Sequence, residues 1–393
     1  MNTLSIDFGT SYCAASYLNE VAQVVPVVFG LNKYNGPCYK FPSVIQYALD
    51  ANSEEQKVIG EIALTNLIQS NFGDSSIVSK IKTELRETTG YIINGKPKKS
   101  ITIVSDIIHK IKQLAESQSH RAFNKVILTH PAQYESTKQD LLVKAAQSCG
   151  LKEVTLLEEP KAAAYAFLDS FKLQSGKGAI VFDYGGGTID IAYLLIENKT
   201  PIFKFTPVSE TKCGGEYIDL LLHNLIISKT NPSAREISPA LLETCSRMKV
   251  NFSQSEQEII VYNGKAYTFT LDMFNKIISP KVDIAISLLK RVVEECDIHS
   301  YPIDYILLNG GSSRLKIVNE SISQILPNAQ ILKYENIGDD LAVSTGALLY
   351  HKMSSKLVSE SSAEIEGDTH YRKVIIKHDV LDKIRKNFKK SQG

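Results

Sequence analysis

The sequence lacks nearly every feature that would mark a nucleic-acid-binding, zinc-finger, membrane or secreted protein. Its 393 residues carry 44 Lys and Arg against 43 Asp and Glu, a formal net charge of +1. So balanced a chain has no polyelectrolyte attraction for nucleic acid, and none is expected as a partner. The six cysteines (Cys13, Cys38, Cys149, Cys213, Cys245, Cys296) are scattered, with no CxxC pair and no Cys/His cluster at zinc spacing. They read as small buried hydrophobes in a reducing compartment. No run approaches the roughly 18 apolar residues of a membrane span. The first residues hold no basic segment followed by an apolar core and a small-residue cleavage site, so a cytoplasmic location is the expectation. GxxxxGK[ST], GxGxxG opening a helix, HExxH and GxSxG are also missing. Their absence sets aside Walker-type NTPases, dinucleotide folds, zincins and α/β-hydrolases.

What is present is an internal echo. Residues 1–18 read MNTLSIDFGTSYCAASYL and residues 178–195 read GAIVFDYGGGTIDIAYLL. Each is an apolar run ending in Asp, then an aromatic, glycine, threonine and a second apolar run. The β-branched flanks and the glycine predict strand, tight turn, strand, twice, as from an ancient duplication. Between and after the copies, strands and helices alternate. A helix is expected over SDIIHKIKQLAESQS, capped by Ser105 or Asp106, and a strand over KVILTHPA, stopped by Pro131. A further helix starts at Ser136 and ends before Gly150. EVTLLEEPKAAAYAFL predicts a strand, a turn at Glu158–Pro160 and an alanine-rich helix. In the second half, helices follow Gly214–Gly215 and Ser238, and a hairpin turns at Asn263–Gly264. A long helix is broken near Pro280, and a strand leads through Gly310–Gly311 into a helix. Such alternation makes an α/β protein with parallel crossovers.

Glycine turns between strands let backbone N–H groups approach a phosphate, and Thr10, Ser11 and Thr188 add hydroxyl donors. Asp7, Asp183 and Asp190 in the same turns would repel bare phosphate, so a magnesium ion held largely through water is implied.

The motifs, in this order, resemble the nucleotide-binding domain of the seventy-kilodalton heat-shock chaperone (DnaK-like) family, within the actin/heat-shock/sugar-kinase superfamily. They run from Ile6-Asp7-Phe8-Gly9-Thr10-Ser11-Tyr12 through Thr129-His130-Pro131-Ala132-Gln133-Tyr134 and Glu158-Glu159-Pro160-Lys161-Ala162-Ala163-Ala164. Phe182-Asp183-Tyr184-Gly185-Gly186-Gly187-Thr188-Ile189-Asp190 follows, then Gly214-Gly215-Glu216 and Gly310-Gly311-Ser312-Ser313-Arg314. The resemblance implies a duplicated actin-like ATPase fold, two lobes each with a mixed β-sheet flanked by helices and the nucleotide in the cleft between. Lobe I would span residues 1–171, with a variable subdomain over about 36–104. Lobe II would span 172–353, with a subdomain over about 213–300, and residues 354–393 would form a polar linker and basic amphipathic tail.

The resemblance also implies ATP or ADP with Mg2+ as ligands. Asp7, Glu159, Asp183 and Asp190 would surround the metal and an attacking water, with Asp7 and Asp183 holding the ion mainly through water. Gly9, Thr10, Ser11, Tyr12, Gly185, Gly186, Gly187 and Thr188 would bind phosphates. Gly214, Gly215, Glu216, Lys249, Ser253, Gly310, Gly311, Ser312, Arg314 and Asp340 would hold the rest of the nucleotide, with Arg314 stacked on the base. The γ-phosphate lysine falls in SKIKTELR, where Lys82 fits the spacing better than Lys80.

Three departures stand out. Ser246 and Val250 replace a ribose-binding glutamate and an arginine of the family pattern, a loss of about 1–3 kcal/mol in nucleoside binding. His130 takes an apolar position beside Pro131 and is expected to be a satisfied strand-end histidine. Residues after about 350 are too few for the family's peptide clamp and lid, so autonomous chaperone activity is not expected of these residues. The expected function is a stand-alone heat-shock-like ATPase, monomeric, that hydrolyses ATP slowly and signals by lobe closure to a protein partner or co-chaperone. The alternatives are a small-molecule kinase of the same superfamily and a non-hydrolysing nucleotide sensor or scaffold. The tail, with Val380, Leu381, Ile384 and Phe388 at helical spacing among basic residues, is expected to dock on the domain or be solvated rather than touch a membrane.

Overall fold

The computed structural model describes residues 2–32, 35–70, 75–88, 90–230, 237–262, 264–334 and 338–366, with side chains except at 230, 338–340 and 356–366. Lobe I opens with β1 (Thr3–Asp7), β2 (Tyr12–Leu18) and β3 (Val24–Pro26). Short paired strands, Ile45–Leu49 with Glu55–Ile59 and Gly90–Ile93 with Lys96–Lys99, surround α1 (Glu61–Gln69) and the one-turn helix α2 (Ile81–Glu84). Then come α3 (Ser100–Ser119), β4 (Lys125–His130), α4 (Ser136–Ser148), β5 (Glu153–Glu158) and α5 (Glu159–Phe171). The sheet runs β5-β4-β1-β2-β3, with β4 parallel to both β1 and β5 and the other pairings antiparallel.

Lobe II repeats this plan. Its elements are β6 (Gly178–Tyr184), β7 (Ile189–Glu197), β8 (Thr200–Phe203), β9 (Val208–Glu210), α6 (Gly215–Thr230) and α7 (Pro239–Asn251). The hairpin β10 (Gln257–Tyr262) and β11 (Lys265–Thr270) follows, then α8 (Leu271–Ile298), β12 (Tyr305–Asn309), α9 (Lys316–Ile325), β13 (Gln330–Lys333) and α10 (Gly338–Glu366). The order β8-β7-β6-β12-β13, read from its β13 end, carries the same sequence of parallel and antiparallel pairings, and β9 adds to β7. The turn between β6 and β7 therefore holds the place in its sheet that the turn between β1 and β2 holds in the other. This is the duplicated, two-lobed actin-like fold that the motifs imply.

Helices cover both sheets, which is why β6 is buried at every residue and reads as a continuous apolar run. Lobe I packs around Leu4, Ile6, Ile103 and Ile107, and lobe II around Ile180, Phe182, Phe252 and Phe274. A third apolar cluster joins Ala162, Ala163 and Phe167 of α5 and Val343 and Ala347 of α10 to Ile127, Val181 and Leu307 of the two sheets. Close approach of these helices depends on Gly346, where a Cβ would fall 1.8 Å from the Ala162 carbonyl oxygen.

Four local expectations need correction. Ser105 and Asp106 do not cap α3, which starts at Ser100; Ser105 Oγ donates to the Ala145 carbonyl, and Asp106 accepts from Lys57 and the Tyr47 hydroxyl. The β-branched stretch SITIV is helical because Ile103 and Val104 bury completely in the lobe I core, and packing overrides their strand propensity. Pro280 does not break α8, which is continuous from Leu271 to Ile298. The Lys276 carbonyl that Pro280 leaves without its helical donor accepts instead from Ser279 Oγ at 3.3 Å. At Glu158–Pro160 there is no turn: α5 begins directly at Glu159, with proline in its first turn, where a missing N–H costs nothing. Finally, residues 1–350 form one compact unit and those from His351 a second. Within the latter, α10 continues to Glu366, through the stretch from Ser354 expected to be a linker. The basic tail with Val380, Leu381, Ile384 and Phe388 lies outside the described residues. Among the described residues no helix is long and apolar enough to cross a membrane.

Candidate functional site

The two glycine turns face each other. Fully buried Phe8 anchors the first turn in the lobe I core. Behind it, Ser43 Oγ donates to the Gly9 carbonyl at 2.8 Å and the Ser43 N–H to the Ser11 carbonyl at 2.9 Å. In the second, Gly185 N–H closes on the Thr188 carbonyl at 3.0 Å. The turns are so close that a Cβ on Gly186 would sit 2.8 Å from Ser11 Oγ, and one on Gly187 would sit 2.7 Å from Thr10 Oγ1. Hydroxyls of one lobe thus meet bare backbone of the other, the pairing of donors a phosphate chain needs. Gly214 and Gly215 press on the second turn from α6, and Gly215 N–H donates to the Gly185 carbonyl at 3.0 Å. Tyr12 begins β2 and is 40% exposed at the cleft end of the strand.

Beneath the turns lies a carboxylate cluster with, among the described residues, one buried cation. Lys82, 4% exposed, places Nζ 2.5 Å from Glu159 Oε1. Burial alone would lower its pKa, but Glu159 and Asp7 outweigh this and hold it raised, so the ammonium stays charged. Asp7 accepts from Thr129 Oγ1 at 2.8 Å; burial, then Glu159, push it up to about 6. Asp183 and Asp190 are direct cross-strand partners on β6 and β7. Asp190 is 1% exposed and accepts from the Ala132 N–H at 2.9 Å and from Thr188 Oγ1 at 3.1 Å. Burial and then Glu159 raise it to about 6. Burial, then the charges of Glu159 and Asp190, hold Asp183 well above the ordinary carboxylate range. Its neighbour across β12 is Asn309, whose Oδ1 is buried with no hydrogen-bond partner among the described residues.

Of the two candidate lysines, Lys82 is the one drawn into this cluster. Lys80, with its side chain 42% exposed, lies 3.4 Å from Glu216 Oε2. His130 is 5% exposed, and its Nδ1 bonds the Pro131 carbonyl at 2.7 Å, which makes that nitrogen the donor. Burial lowers its pKa, leaving it neutral, the satisfied strand-end histidine that was expected.

Around the far side of Gly215, Ser312 Oγ donates to the Gly185 carbonyl at 3.1 Å, and Gly310 carries φ +79° against the Tyr184 carbonyl. Gly311 and Arg314 bound a short 3-10 turn, with Arg314 exposed. Lys249 Nζ donates to the Gly215 carbonyl at 2.8 Å and pairs with Asp219 at 2.7 Å. The Ser253 hydroxyl donates to the Val250 carbonyl of its own helix end at 2.6 Å. The side chain of Asp340 lies outside the described residues. Asn309 and Asp219 also lie here and carry no local sequence signal; Thr129 and Ala132 belong to the Thr129–Tyr134 motif, but nothing local pairs Thr129 with Asp7 across 122 residues of chain.

The Hsp70 protein family model matches residues 52–360. The chain is 26% identical over 378 residues to the chaperone protein HscA of Buchnera aphidicola subsp. Schizaphis graminum, covering 90% of this chain and 59% of that protein. It is 26% identical over 258 residues to the chaperone protein HscA homolog of Haemophilus influenzae (strain 86-028NP), covering 64% of this chain and 40% of the relative. With the heat shock protein 70 homolog of Acanthamoeba polyphaga mimivirus the identity is 25% over 389 residues, covering 89% and 41% of the two chains. The aligned region thus accounts for about half the length of these curated relatives, between 40% and 59%. On the family match, which takes in the second glycine turn, the carboxylates beyond Asp7 and the turn at Gly310–Arg314, the chain belongs to the Hsp70 family.

Proposed function

We propose that this chain binds Mg-ATP between its two lobes, hydrolyses it slowly, and passes the resulting lobe movement to a protein partner such as a co-chaperone. The lobes would divide as 1–171 and 172–353. The observation that carries this reading is the cluster of buried Asp183 and Asp190 with partly buried Asp7 and Glu159, in which Lys82 is the single buried cation among the described residues, set beneath two interlocking glycine turns.

These residues fit a magnesium ion. Burial and mutual repulsion raise Asp7, Asp183 and Asp190, an excess of negative charge that a dication relieves. Among the described residues no three Asp, Glu, His or Cys side chains converge to ligate an ion directly, which suits an ion held mostly through water, with Asp7 and Asp183 as its anchors. When bound, the ion neutralises charge on the phosphates. The chain itself supplies the rest. Thr10, Ser11, Tyr12 and the backbone of Gly185–Thr188 bind the phosphates, and Lys82 offsets charge on the terminal one. Glu159 is tied to Lys82, so Asp190, fixed by the Ala132 N–H and Thr188, orients the attacking water. Phosphoryl transfer depends mainly on such positioning and charge neutralisation. Lys249, Ser312 and Arg314 line the nucleoside side.

Single-turnover hydrolysis of radiolabelled ATP in magnesium tests the reading. Wild type is expected to release phosphate and Asp183→Asn to be at least about a hundredfold slower. Tight binding with no phosphate release from wild type would instead make the chain a nucleotide sensor. Stimulation of ADP formation by one sugar or polyol would make it a small-molecule kinase.

A further inference from the structure

Glu216 stands where a phosphate group is expected. Its Oε1 accepts the Ser11 hydroxyl at 2.8 Å, and its Oε2 lies 3.4 Å from Lys80 Nζ. Its Cγ is 3.9 Å from the point that a Cβ on Gly186 would occupy. A hydroxyl from one phosphate turn, an ammonium and the glycine backbone of the other turn are the three kinds of group that hold a phosphate oxygen. The hydroxyl and the ammonium are both gathered on a carboxylate of the protein's own, whose methylene runs beside the glycine turn. The start of α6 is arranged to match. The N–H groups of Gly215 and Glu216 donate to the carbonyls of Gly185 and Gly186, at 3.0 and 2.8 Å, so the leading amides of the helix are engaged by the glycine turn and not open to an anion. Lys80 carries φ 58°, a left-handed conformation that residues other than glycine keep only where their surroundings hold it.

We propose that Glu216 is a displaceable internal anion: it holds Ser11 and Lys80 in the ligand-free protein and yields both to a phosphate group of the incoming nucleotide. Lys80 is then a phosphate-binding residue in its own right, distinct from Lys82, which stays with Glu159. Apparent affinity is reduced by the fraction of molecules in which Glu216 is seated. The identity of the ligand as a nucleotide rests on the proposed function; competition between Glu216 and a phosphate does not.

Isothermal titration calorimetry on the full chain, with magnesium pyrophosphate and with Mg-ADP, separates the two. Both Glu216→Gln and Glu216→Ala are expected to bind either ligand about two- to tenfold more tightly than wild type, because a charged competitor has gone. Lys80→Gln is expected to bind more weakly by a similar factor, and the Glu216→Gln/Lys80→Gln double variant more weakly than Glu216→Gln alone. Circular dichroism melts verify that each variant is folded. Glu216 variants that bind pyrophosphate equally or less well overturn the proposal, as does Lys80→Gln with unchanged affinity. Failure of every variant to take up pyrophosphate also overturns it. If the expected order holds for pyrophosphate while no variant binds ADP or ATP, the internal anion stands and the nucleotide reading falls.

Discussion

Replacing Asp190 by asparagine is expected to stabilise the ligand-free protein near neutral pH while impairing its chemistry. Asp190 is 1% exposed, and burial together with Glu159 lifts its carboxyl from the ordinary 3.8 to about 6. A group whose folded-state pKa lies above its unfolded value contributes stability that is complete below the unfolded value. That contribution is lost as pH rises through the folded one. The two values differ by about 2 units, so some 3 kcal/mol of stability disappears between about pH 4 and pH 7. Asparagine removes the charge and with it this loss. Its carbonyl still accepts the Ala132 N–H, but its amide meets the Thr188 hydroxyl that Oδ2 had accepted, at a cost of about 1 kcal/mol. The net gain is about 2 kcal/mol at pH 7.5, reversing to a loss of about 1 kcal/mol at pH 4. Relief of Asp183, which Asp190 also raises, adds to the gain. Urea denaturation in EDTA across pH 4–8, wild type against Asp190→Asn, measures it. A destabilisation of the same size at every pH would refute the reasoning, since it would mean that Asp190 is not held against its own charge.

Other perturbations test neighbouring parts of the site and frame. Lys82→Met leaves the partly buried Glu159 and Asp7 without their cation and should cost about 3 kcal/mol at pH 8 and distinctly less at pH 5, read from urea midpoints. Gly346→Ala drives a Cβ to 1.8 Å from the Ala162 carbonyl and should lower stability by about 1–3 kcal/mol as α5 and α10 are forced apart, seen as a fall in Tm. His130→Val should leave stability at pH 7 within about 1 kcal/mol and single-turnover hydrolysis nearly unchanged, because the native imidazole is neutral and, among the described residues, hydrogen-bonds the Pro131 carbonyl next to it and no other group. Arg314→Ala should weaken ADP binding by calorimetry while leaving pyrophosphate binding intact, because the role proposed for its guanidinium is on the nucleoside side, away from the phosphates.

The features legible in the sequence were those written twice or written locally. The echo around Asp7 and Asp183 identified two strand-turn-strand units, and the fold places them at equivalent positions of two sheets with matching topology. The helix α7 after Ser238, the hairpin ahead of α8 and the proline end of β4 followed from local chemistry. The start of α3 did not, because burial of Ile103 and Val104 is a property of the whole lobe. Nor did the continuity of α8 through Pro280, which depends on a serine hydroxyl reaching one particular carbonyl. In the site, the resemblance brings together carboxylates from distant motifs, Asp7 with Glu159, Asp183 and Asp190, whereas individual side-chain pairings between distant segments are not legible: Thr129 with Asp7, Asn309 with Asp183, Ser11 with Glu216. Lys80 and Lys82 are two residues apart; spacing favours Lys82 for the phosphate, but the fold alone shows Lys82 to be a buried partner of Glu159 and Lys80 a more exposed partner of Glu216.

The claim that the glycine turns and the carboxylates beneath them form one magnesium-nucleotide site is tested most directly by equilibrium binding of ATP to the purified chain, with magnesium and with EDTA, for wild type and Asp183→Asn. Wild type is expected to bind ATP with an affinity that falls at least about tenfold on chelation, and the substitution to reduce that magnesium dependence. No ATP binding at millimolar concentration, or binding indifferent to both magnesium and Asp183, would contradict it.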